Sequence, residues 1–288
     1  INISNLYTSI FRAFEKMELD LAIAVVRAVL FLPAAAWALF NHFGLIPVFN
    51  IFLVSNILSL SAAKLIFLRQ MGWPEWDIDL GFCRDQLAQT VPLWLSQLLG
   101  IAYLKLAPLL LFRMKGEAAV GLYNAGFIVV DGFWILAACF ISAIFPIISH
   151  LSTVSLSEAK KEYLSGLRIS FLASLPAGAC IIFYALPIVR VIYGEKFIEI
   201  VPLFRFLTVA AILVVLDTNN ALTLIGIGRQ GILPFINASG LLLNLMLTIF
   251  FIFKFGYTGP AYALIASESL VVLLGSMALK KYLVRGHS

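Results

Sequence analysis

The chain has 288 residues, of which 62% are hydrophobic and 12% are charged, and its formal net charge is +5. An ordinary soluble domain is about half apolar and about a quarter charged. A chain of this composition cannot hide its apolar surface from water, so we expect it to lie in a lipid bilayer. Its three cysteines, Cys83, Cys139 and Cys180, form neither a metal-binding spacing nor a disulfide framework.

Apolar runs long enough to cross a bilayer recur along the whole chain. After a partial helix at about 1–13, eight complete spans are predicted near 21–41, 45–64, 88–112, 119–148, 168–190, 203–227, 231–253 and 260–280. The longest breaks are 65–87 and 149–167. In the second break, "SLSEAKKEY" indicates a capped amphipathic helix at the membrane interface. Because the chain begins at Ile1 inside a helical pattern, we expect it to be N-terminally incomplete.

The Lys and Arg residues predict the orientation in the membrane. Twelve of them lie in alternate connections and near the C-terminus, whereas five lie in the remaining connections. The positive-inside rule places the first set, and with it the C-terminus, in the cytoplasm. Eight spans between two cytoplasmic ends agree with this orientation.

Three acidic residues lie well inside the predicted spans: Asp131, Asp217 and Glu268. A charged side chain at the middle of the membrane costs about 2.5–3.5 kcal/mol on insertion scales, so such residues face a bundle interior or a wet cavity. Asn124 lies seven residues before Asp131 on the same helical face. In "VVLDTNNALTL", Asp217 and Asn220 likewise share one face.

Narrow stripes of polar or small residues recur at helical spacing on further spans. They are Asn237, Gly240 and Asn244 on one span, and Ala261, Glu268 and Gly275 on another. These stripes fit a central hydrophilic cavity, in which Asn124, Asn220 and Asn244 would bind the transported molecule. The acids would then bind water or a coupling ion there. In the alternative interpretation, the Asn and small residues join helices within a bundle, and Asp217 pairs with a base.

Three basic residues lie within or near spans: Arg27, Lys105 and Arg205. Arg27 lies about 10 Å inside its span, at a rise of about 1.5 Å per residue. Long side chains at such depth can extend to the interface. The functional alternative is an anionic cargo, because a phosphate that crosses lipid needs cationic partners. Arg27 and Lys105 are therefore candidate cargo-binding residues.

Sequence motifs of catalysis are absent. The chain contains no P-loop, no HExxH and no G-x-S-x-G. His42, His150 and His287 are scattered among loops and span ends. We therefore predict no enzymatic activity, no metal site, no cofactor and no nucleic-acid partner.

Three stretches resemble the lipid-linked oligosaccharide flippases. They are "GEAAVGLYNAGFIVVDGFWILAACFISAIFPIIS", "VIYGEKFIEIVPLFRFL", and "GIGRQ" followed by "NASGLLLNLMLTIFFIFKFGYTGPAYALIASE". These flippases form the polysaccharide-exporter branch of the multidrug/oligosaccharidyl-lipid/polysaccharide exporter superfamily. The positions that match the family pattern are Gly121, Tyr123, Pro146, Gly194, Arg205, Gly228, Asn244, Gly256, Gly259 and Glu268. Pro260 departs from it, and Ala107 stands where an Asp is frequent in the family.

The resemblance implies an all-α, polytopic transmembrane bundle of the V-shaped two-bundle exporter fold. Residues 1–86 would be the end of the first helix bundle and residues 87–288 the second. The resemblance also implies flipping of an undecaprenyl-pyrophosphate-linked oligosaccharide from the cytoplasmic to the periplasmic leaflet of a bacterial inner membrane, for O-antigen or capsule assembly. The lipid-linked glycan, the bilayer and a polysaccharide polymerase or export complex would be its partners.

The sequence is compatible with two alternative functions. The first is a cation-coupled drug or small-metabolite antiporter of the same superfamily. The second is a membrane-embedded polysaccharide polymerase or glycosyltransferase that acts on the same lipid. The sequence disfavours the second alternative, because such enzymes usually need a sizeable catalytic loop on one membrane face.

Overall fold

The computed structural model describes residues 17–72 and 79–284, together with Tyr7, Ile10, Phe11 and Phe14. Every regular element among these residues is a helix. The chain divides into two compact units, Ile1–Asp79 and Leu80–Ser288. Most of the partial helix expected at about 1–13 lies outside the described residues.

The first unit contains a pair of long helices, α1 (Met17–Phe40) and α2 (Leu45–Met71). A tight turn joins them, in which Gly44 has a φ of +80°, a conformation that glycine adopts at little cost. The rings of Phe31 on α1 and Phe52 on α2 meet edge-on with centroids 5.6 Å apart. The two helices thus form an antiparallel hairpin, and many of its apolar side chains are exposed, as expected for a surface in lipid.

Between residues 80 and 284, the second unit contains six long helices and one short one. They are α3 (Leu80–Lys115), α4 (Glu117–Val154), α5 (Leu156–Phe183), the short α6 (Ala185–Tyr193), α7 (Val201–Gly226), α8 (Leu233–Phe255) and α9 (Gly259–Val284). Short 3-10 segments precede α7, α8 and α9. Pro202 and Pro234 occupy the first turns of α7 and α8, where the missing N–H of proline costs no helical hydrogen bond.

Each of the eight long helices overlaps one of the eight predicted spans. Within the described residues, seven stretches are long and apolar enough to cross a membrane. The last of these stretches, Gln230–Leu283, contains both α8 and α9. The prediction of a polytopic, all-α membrane protein is therefore confirmed.

The expected interfacial segment at 149–167 is not a separate element. Helix α4 continues to Val154 and α5 begins at Leu156, so Ser155 alone separates the two helices. The helix cap predicted for this segment is present, because the Ser155 hydroxyl accepts a hydrogen bond of 3.5 Å from the backbone N–H of Glu158. The amphipathic "SEAKKEY" is thus the start of a membrane-crossing helix.

The predicted span at 168–190 is divided in the structure. Helix α5 ends at Phe183, and Tyr184 then connects it to α6. The break near 184 is not predicted by the sequence, because both sides of it are equally apolar.

Two hydrophobic clusters form the core of the second unit. On α7, the first cluster reaches Val215 and the second begins at Leu224. On α9, which runs in the same direction, the first cluster reaches Leu264 and the second begins at Val271. The turns between the two clusters carry polar side chains, so a polar zone lies between two apolar ones.

Candidate functional site

The polar zone of the second unit is called the polar layer here. It takes side chains from α3, α5, α7, α8 and α9. Its members are Tyr103, Tyr163, Asp217, Asn219, Asn220, Asn244, Thr248, Ser267, Glu268 and Ser276. All are buried or half-buried, and a buried polar group without a hydrogen-bond partner is costly.

Asn220 joins three helices. Its Oδ1 accepts a hydrogen bond of 2.9 Å from the Tyr163 hydroxyl on α5. Its Nδ2 donates to the Val272 carbonyl and to the Ser276 hydroxyl on α9, each at 3.1 Å. A Cβ at Gly275 would lie 3.1 Å from the Asn220 Cβ, so the glycine lets α9 approach this amide. The Asn220 side chain is 1% exposed, and its oxygen and nitrogen are both paired.

Ser267 on α9 is the centre of a second network. The hydroxyls of Tyr103 on α3 and Ser267 lie 2.7 Å apart. Asn244 on α8 donates to the Ser267 hydroxyl at 2.9 Å. Thr248, one turn along α8, donates to Asn244 Oδ1 at 3.3 Å. This network therefore connects α3, α8 and α9 at the level of the acids.

Asp217 and Glu268 lie near each other on the parallel helices α7 and α9. Two contacts set the register of these helices: the rings of Phe206 and Tyr262 are 4.6 Å apart, and Asn220 bonds Ser276. In this register the two acids lie at the same level, each about one turn before the contact between Asn220 and Val272. Such a pair is stabilised by a proton, a cation or water between its oxygens.

Neither acid takes part in an ion pair among the described residues. Glu268 is 5% exposed, and its Oε2 has no hydrogen-bond partner within the described part of the chain. Asp217 is partly exposed. The alternative interpretation, an ion pair between Asp217 and a basic residue, is therefore not observed among the described residues.

Four of the eight predicted site residues come together in the polar layer: Asp217, Asn220, Asn244 and Glu268. Asn220 and Asn244 make hydrogen bonds that connect helices. Asn237 does the same, since its Nδ2 donates to the Ser96 carbonyl at 3.2 Å. These contacts agree with the interpretation that the Asn residues hold helices together, and binding of a transported molecule by Asn220 and Asn244 stays a prediction.

The other four predicted residues are exposed and lie outside the polar layer. Arg27 is on α1, Lys105 is on α3, and Asn124 and Asp131 are on α4. Their contact with a transported molecule also stays a prediction.

Tyr103, Tyr163 and Ser267 belong to the polar layer but were not predicted from the sequence. Ser267 stands directly before Glu268 and Tyr103 two positions before Lys105, so their closeness to charged residues within spans was an available signal. Tyr163 ends the segment "SLSEAKKEY", which was assigned to the interface. Nothing in the sequence alone indicates that it reaches Asn220.

The position matched by Gly259 in the family pattern has a packing role. A Cβ at this residue would lie 2.4 Å from the backbone carbonyl of Phe251. Gly256, in the same connection between α8 and α9, has a φ of +64°, which favours glycine. The tight turn between these two helices thus depends on both glycines.

Comparison with known families and structures gives a consistent assignment. The family model described as "Polysaccharide biosynthesis protein" matches residues 1–152. A search of curated proteins finds no match for this chain.

Similar solved structures belong to membrane transporters. An inward-facing multidrug resistance MATE family transporter of the MOP superfamily superposes with a TM-score of 0.80 at 14% identity, over 99% of this chain and 69% of that one. An outward-facing transporter of the same description superposes with a TM-score of 0.74 at 15% identity, over 99% of this chain and 66% of that one. A third structure is a MOP superfamily transporter from Pyrococcus furiosus, described as having a binding pocket of reverse polarity. It superposes with a TM-score of 0.72 at 16% identity, over 96% of this chain and 66% of that one.

At these identities, the structural likeness shows the fold alone. The chain spans 66% of the length of the outward-facing transporter. The family match covers more than half of the chain. The chain is therefore a multi-pass membrane protein that belongs to the polysaccharide biosynthesis protein family and has the fold of MOP-superfamily transporters.

Proposed function

We propose that the protein flips an undecaprenyl-pyrophosphate-linked oligosaccharide from the cytoplasmic to the periplasmic leaflet of a bacterial inner membrane, for surface polysaccharide assembly. The observation that carries this proposal is the match of residues 1–152 to the polysaccharide biosynthesis family in a chain with a transporter fold. Polysaccharide precursors built on a lipid in the cytoplasm must cross the membrane before they are assembled outside. A polysaccharide-family protein with a transporter fold fits that step.

Exposed cations within the membrane spans support an anionic cargo. Lys105 is exposed on α3 inside the apolar stretch Arg84–Lys115, and Arg27 is exposed on α1 inside Leu21–Phe40. A cation at such depth is costly when it faces lipid. Contact with a pyrophosphate removes that cost, because guanidinium and ammonium groups donate charge-assisted hydrogen bonds to phosphate oxygens.

The exposed polar face of α4 supports a glycan cargo. Asn124 and Asp131 lie seven residues apart, so both are on one side of the helix. An Asn side chain donates and accepts hydrogen bonds, and a carboxylate accepts them. Such groups suit sugar hydroxyls without selecting one sugar.

Asp217 and Glu268 are the candidate coupling residues. They lie at the same level of the parallel helices α7 and α9 inside the second unit and have no ion pair among the described residues. A proton or a monovalent cation bound between them would remove their repulsion. If two conformations of the protein bind that ion with different affinity, the ion gradient can drive the change between them.

A cation-coupled drug antiporter is the second candidate. The observation in its favour is the likeness to structures described as multidrug resistance transporters, together with the acids Asp217 and Glu268 inside the second unit. The family match favours the glycan substrate.

Deletion of the gene that encodes the chain separates the two candidates. The flippase proposal expects loss of surface polysaccharide, accumulation of lipid-linked oligosaccharide on the cytoplasmic side, and unchanged resistance to toxic cations. Complementation with Lys105→Gln should restore less polysaccharide than complementation with Lys115→Gln, which removes the same charge from the end of the same helix. Normal surface polysaccharide together with drug sensitivity in the deletion strain would reject the flippase and favour the antiporter.

A further inference from the structure

A cluster of basic residues lies at one end of the second unit. Four helix ends meet there: the start of α5, the end of α7, the start of α8 and the end of α9. The second hydrophobic cluster contains residues from all four ends, including Ala159, Leu224, Leu233 and Leu279. The end of α4 joins them, because the Ser152 hydroxyl donates a hydrogen bond of 3.1 Å to the Gly226 carbonyl.

The charge of this end is strongly positive. Its basic residues are Lys160, Lys161, Arg229, Lys280 and Lys281. On these four helix ends, the acidic residues are Glu158 and Glu162, and Glu158 is paired with Lys161 at 2.6 Å. The first turn of α8 contains no acidic residue. Most of the positive charge is therefore not neutralised by these helices.

Two of the cations are held over one aromatic ring. The guanidinium carbon of Arg229 lies 4.8 Å from the centre of the Tyr282 ring, and Nζ of Lys281 lies 5.8 Å from it. The ring itself packs against the second hydrophobic cluster. The backbone of Arg229 is also fixed, since its N–H donates to the Leu224 carbonyl at 2.8 Å. Neither cation takes part in an ion pair among the described residues.

We expect this arrangement to lie at the depth of lipid headgroups, because it is at the ends of an apolar stretch. The apolar stretch Gln230–Leu283 begins directly after Arg229 and ends two residues after Lys281. Both cations are exposed. Since they are positioned by the ring before any ligand arrives, they lose less conformational freedom on binding than unrestrained side chains would. Guanidinium and ammonium groups both donate to phosphate oxygens.

We propose that Arg229 and Lys281, positioned over Tyr282, form a binding site for the phosphate of an anionic membrane phospholipid. Phospholipid headgroups surround the protein permanently at this depth, and cationic residues there favour anionic lipids over zwitterionic ones. Lys160 and Lys280 add a positive field around the site. The site is distinct from the polar layer and from the exposed cations within the spans, and it would anchor the ends of α8 and α9 at the membrane surface.

Native mass spectrometry of the purified protein in detergent tests this site, with phosphatidylglycerol and phosphatidylcholine as probes. We expect the wild-type protein to retain phosphatidylglycerol in preference to phosphatidylcholine. Arg229→Gln combined with Lys281→Gln should lower the retained phosphatidylglycerol several-fold. Tyr282→Phe keeps the aromatic ring and should keep the preference for phosphatidylglycerol over phosphatidylcholine. Arg229→Lys keeps the charge and should retain more lipid than Arg229→Gln, which separates lost binding from lost folding.

The matched control is Lys254→Gln at the opposite end of α8. Lys254 also lies over an aromatic ring, 5.3 Å from the centre of Phe255, but no second cation among the described residues lies over that ring. Its replacement should leave phosphatidylglycerol retention unchanged. Equal retention of both lipids by the wild-type protein would overturn the proposal, and so would an unchanged preference in the double variant. An isoprenyl pyrophosphate that binds in an Arg229-dependent manner, while phosphatidylglycerol does not, would also overturn the phospholipid assignment.

Discussion

The hydroxyl of Tyr163 on α5 donates a hydrogen bond of 2.9 Å to the side-chain oxygen of Asn220 on α7. The same Asn220 amide reaches two acceptors on α9. A single side chain thus connects three helices inside the second unit. Hydrogen bonds of this kind join membrane helices where no hydrophobic driving force acts between them.

Replacing Asn220 by Ala should destabilise the protein. The change leaves the buried Tyr163 hydroxyl without its acceptor, and an unsatisfied buried polar group costs about 1–3 kcal/mol. We expect a lower thermal unfolding temperature in detergent. Asn124→Ala is the control, because it truncates the same side chain type at an exposed position on α4. Equal unfolding temperatures for the two variants would show that the hydrogen bonds of Asn220 contribute little to the stability of the protein.

Gly259→Ala should destabilise the turn between α8 and α9. The added methyl group would lie 2.4 Å from the Phe251 backbone, which cannot move aside as a side chain can, and overpacking of this kind costs about 1–3 kcal/mol. Gly231→Ala is the matched control, since it precedes α8 in a similar connection and a Cβ there meets nothing within 4 Å. Thermal unfolding of both variants measures the difference, and an unfolding temperature of Gly259→Ala as high as that of the control would contradict the close approach.

Asp217→Asn should reduce transport without impairing folding. The substitution keeps the side-chain size and removes a carboxylate that has no ion pair among the described residues. We therefore expect expression and thermal stability equal to or above those of the wild type, with reduced polysaccharide export in the complementation assay. Glu117→Gln, an exposed acid in the first turn of α4, should leave both properties unchanged. Normal export by Asp217→Asn would remove Asp217 from the coupling mechanism.

The C-terminus and the break at Ser155 should both be cytoplasmic. The positive-inside rule predicts this from the distribution of Lys and Arg, and α5 and α9 place Lys160 and Lys281 at the same end of the second unit as the second hydrophobic cluster. Reporter fusions after Ser155 and after Arg285 measure the orientation. Periplasmic reporter activity at both positions would show that the orientation is the reverse of the predicted one.

The sequence predicted the helices well because each one has a long apolar run that only a membrane span explains. It failed at the helix break at Tyr184, where the helix ends without a change in hydropathy. It identified Asp217 and Glu268 because a carboxylate inside an apolar run is conspicuous. It did not identify Tyr163 or Ser267 as their neighbours, because contacts between distant helices depend on packing and register, which the pattern of one helix does not contain.

Transport of lipid-linked oligosaccharide into inverted membrane vesicles tests the central claim most directly. Vesicles from cells that express the protein, and from a deletion strain, would receive an undecaprenyl-pyrophosphate-linked oligosaccharide with a labelled sugar on their outer, cytoplasmic face. The account predicts that the label becomes inaccessible to an added glycosidase faster in vesicles with the protein, and that Lys105→Gln slows this loss of access more than Lys115→Gln does. Equal loss of access in vesicles with and without the protein would contradict the assignment of the chain as the flippase.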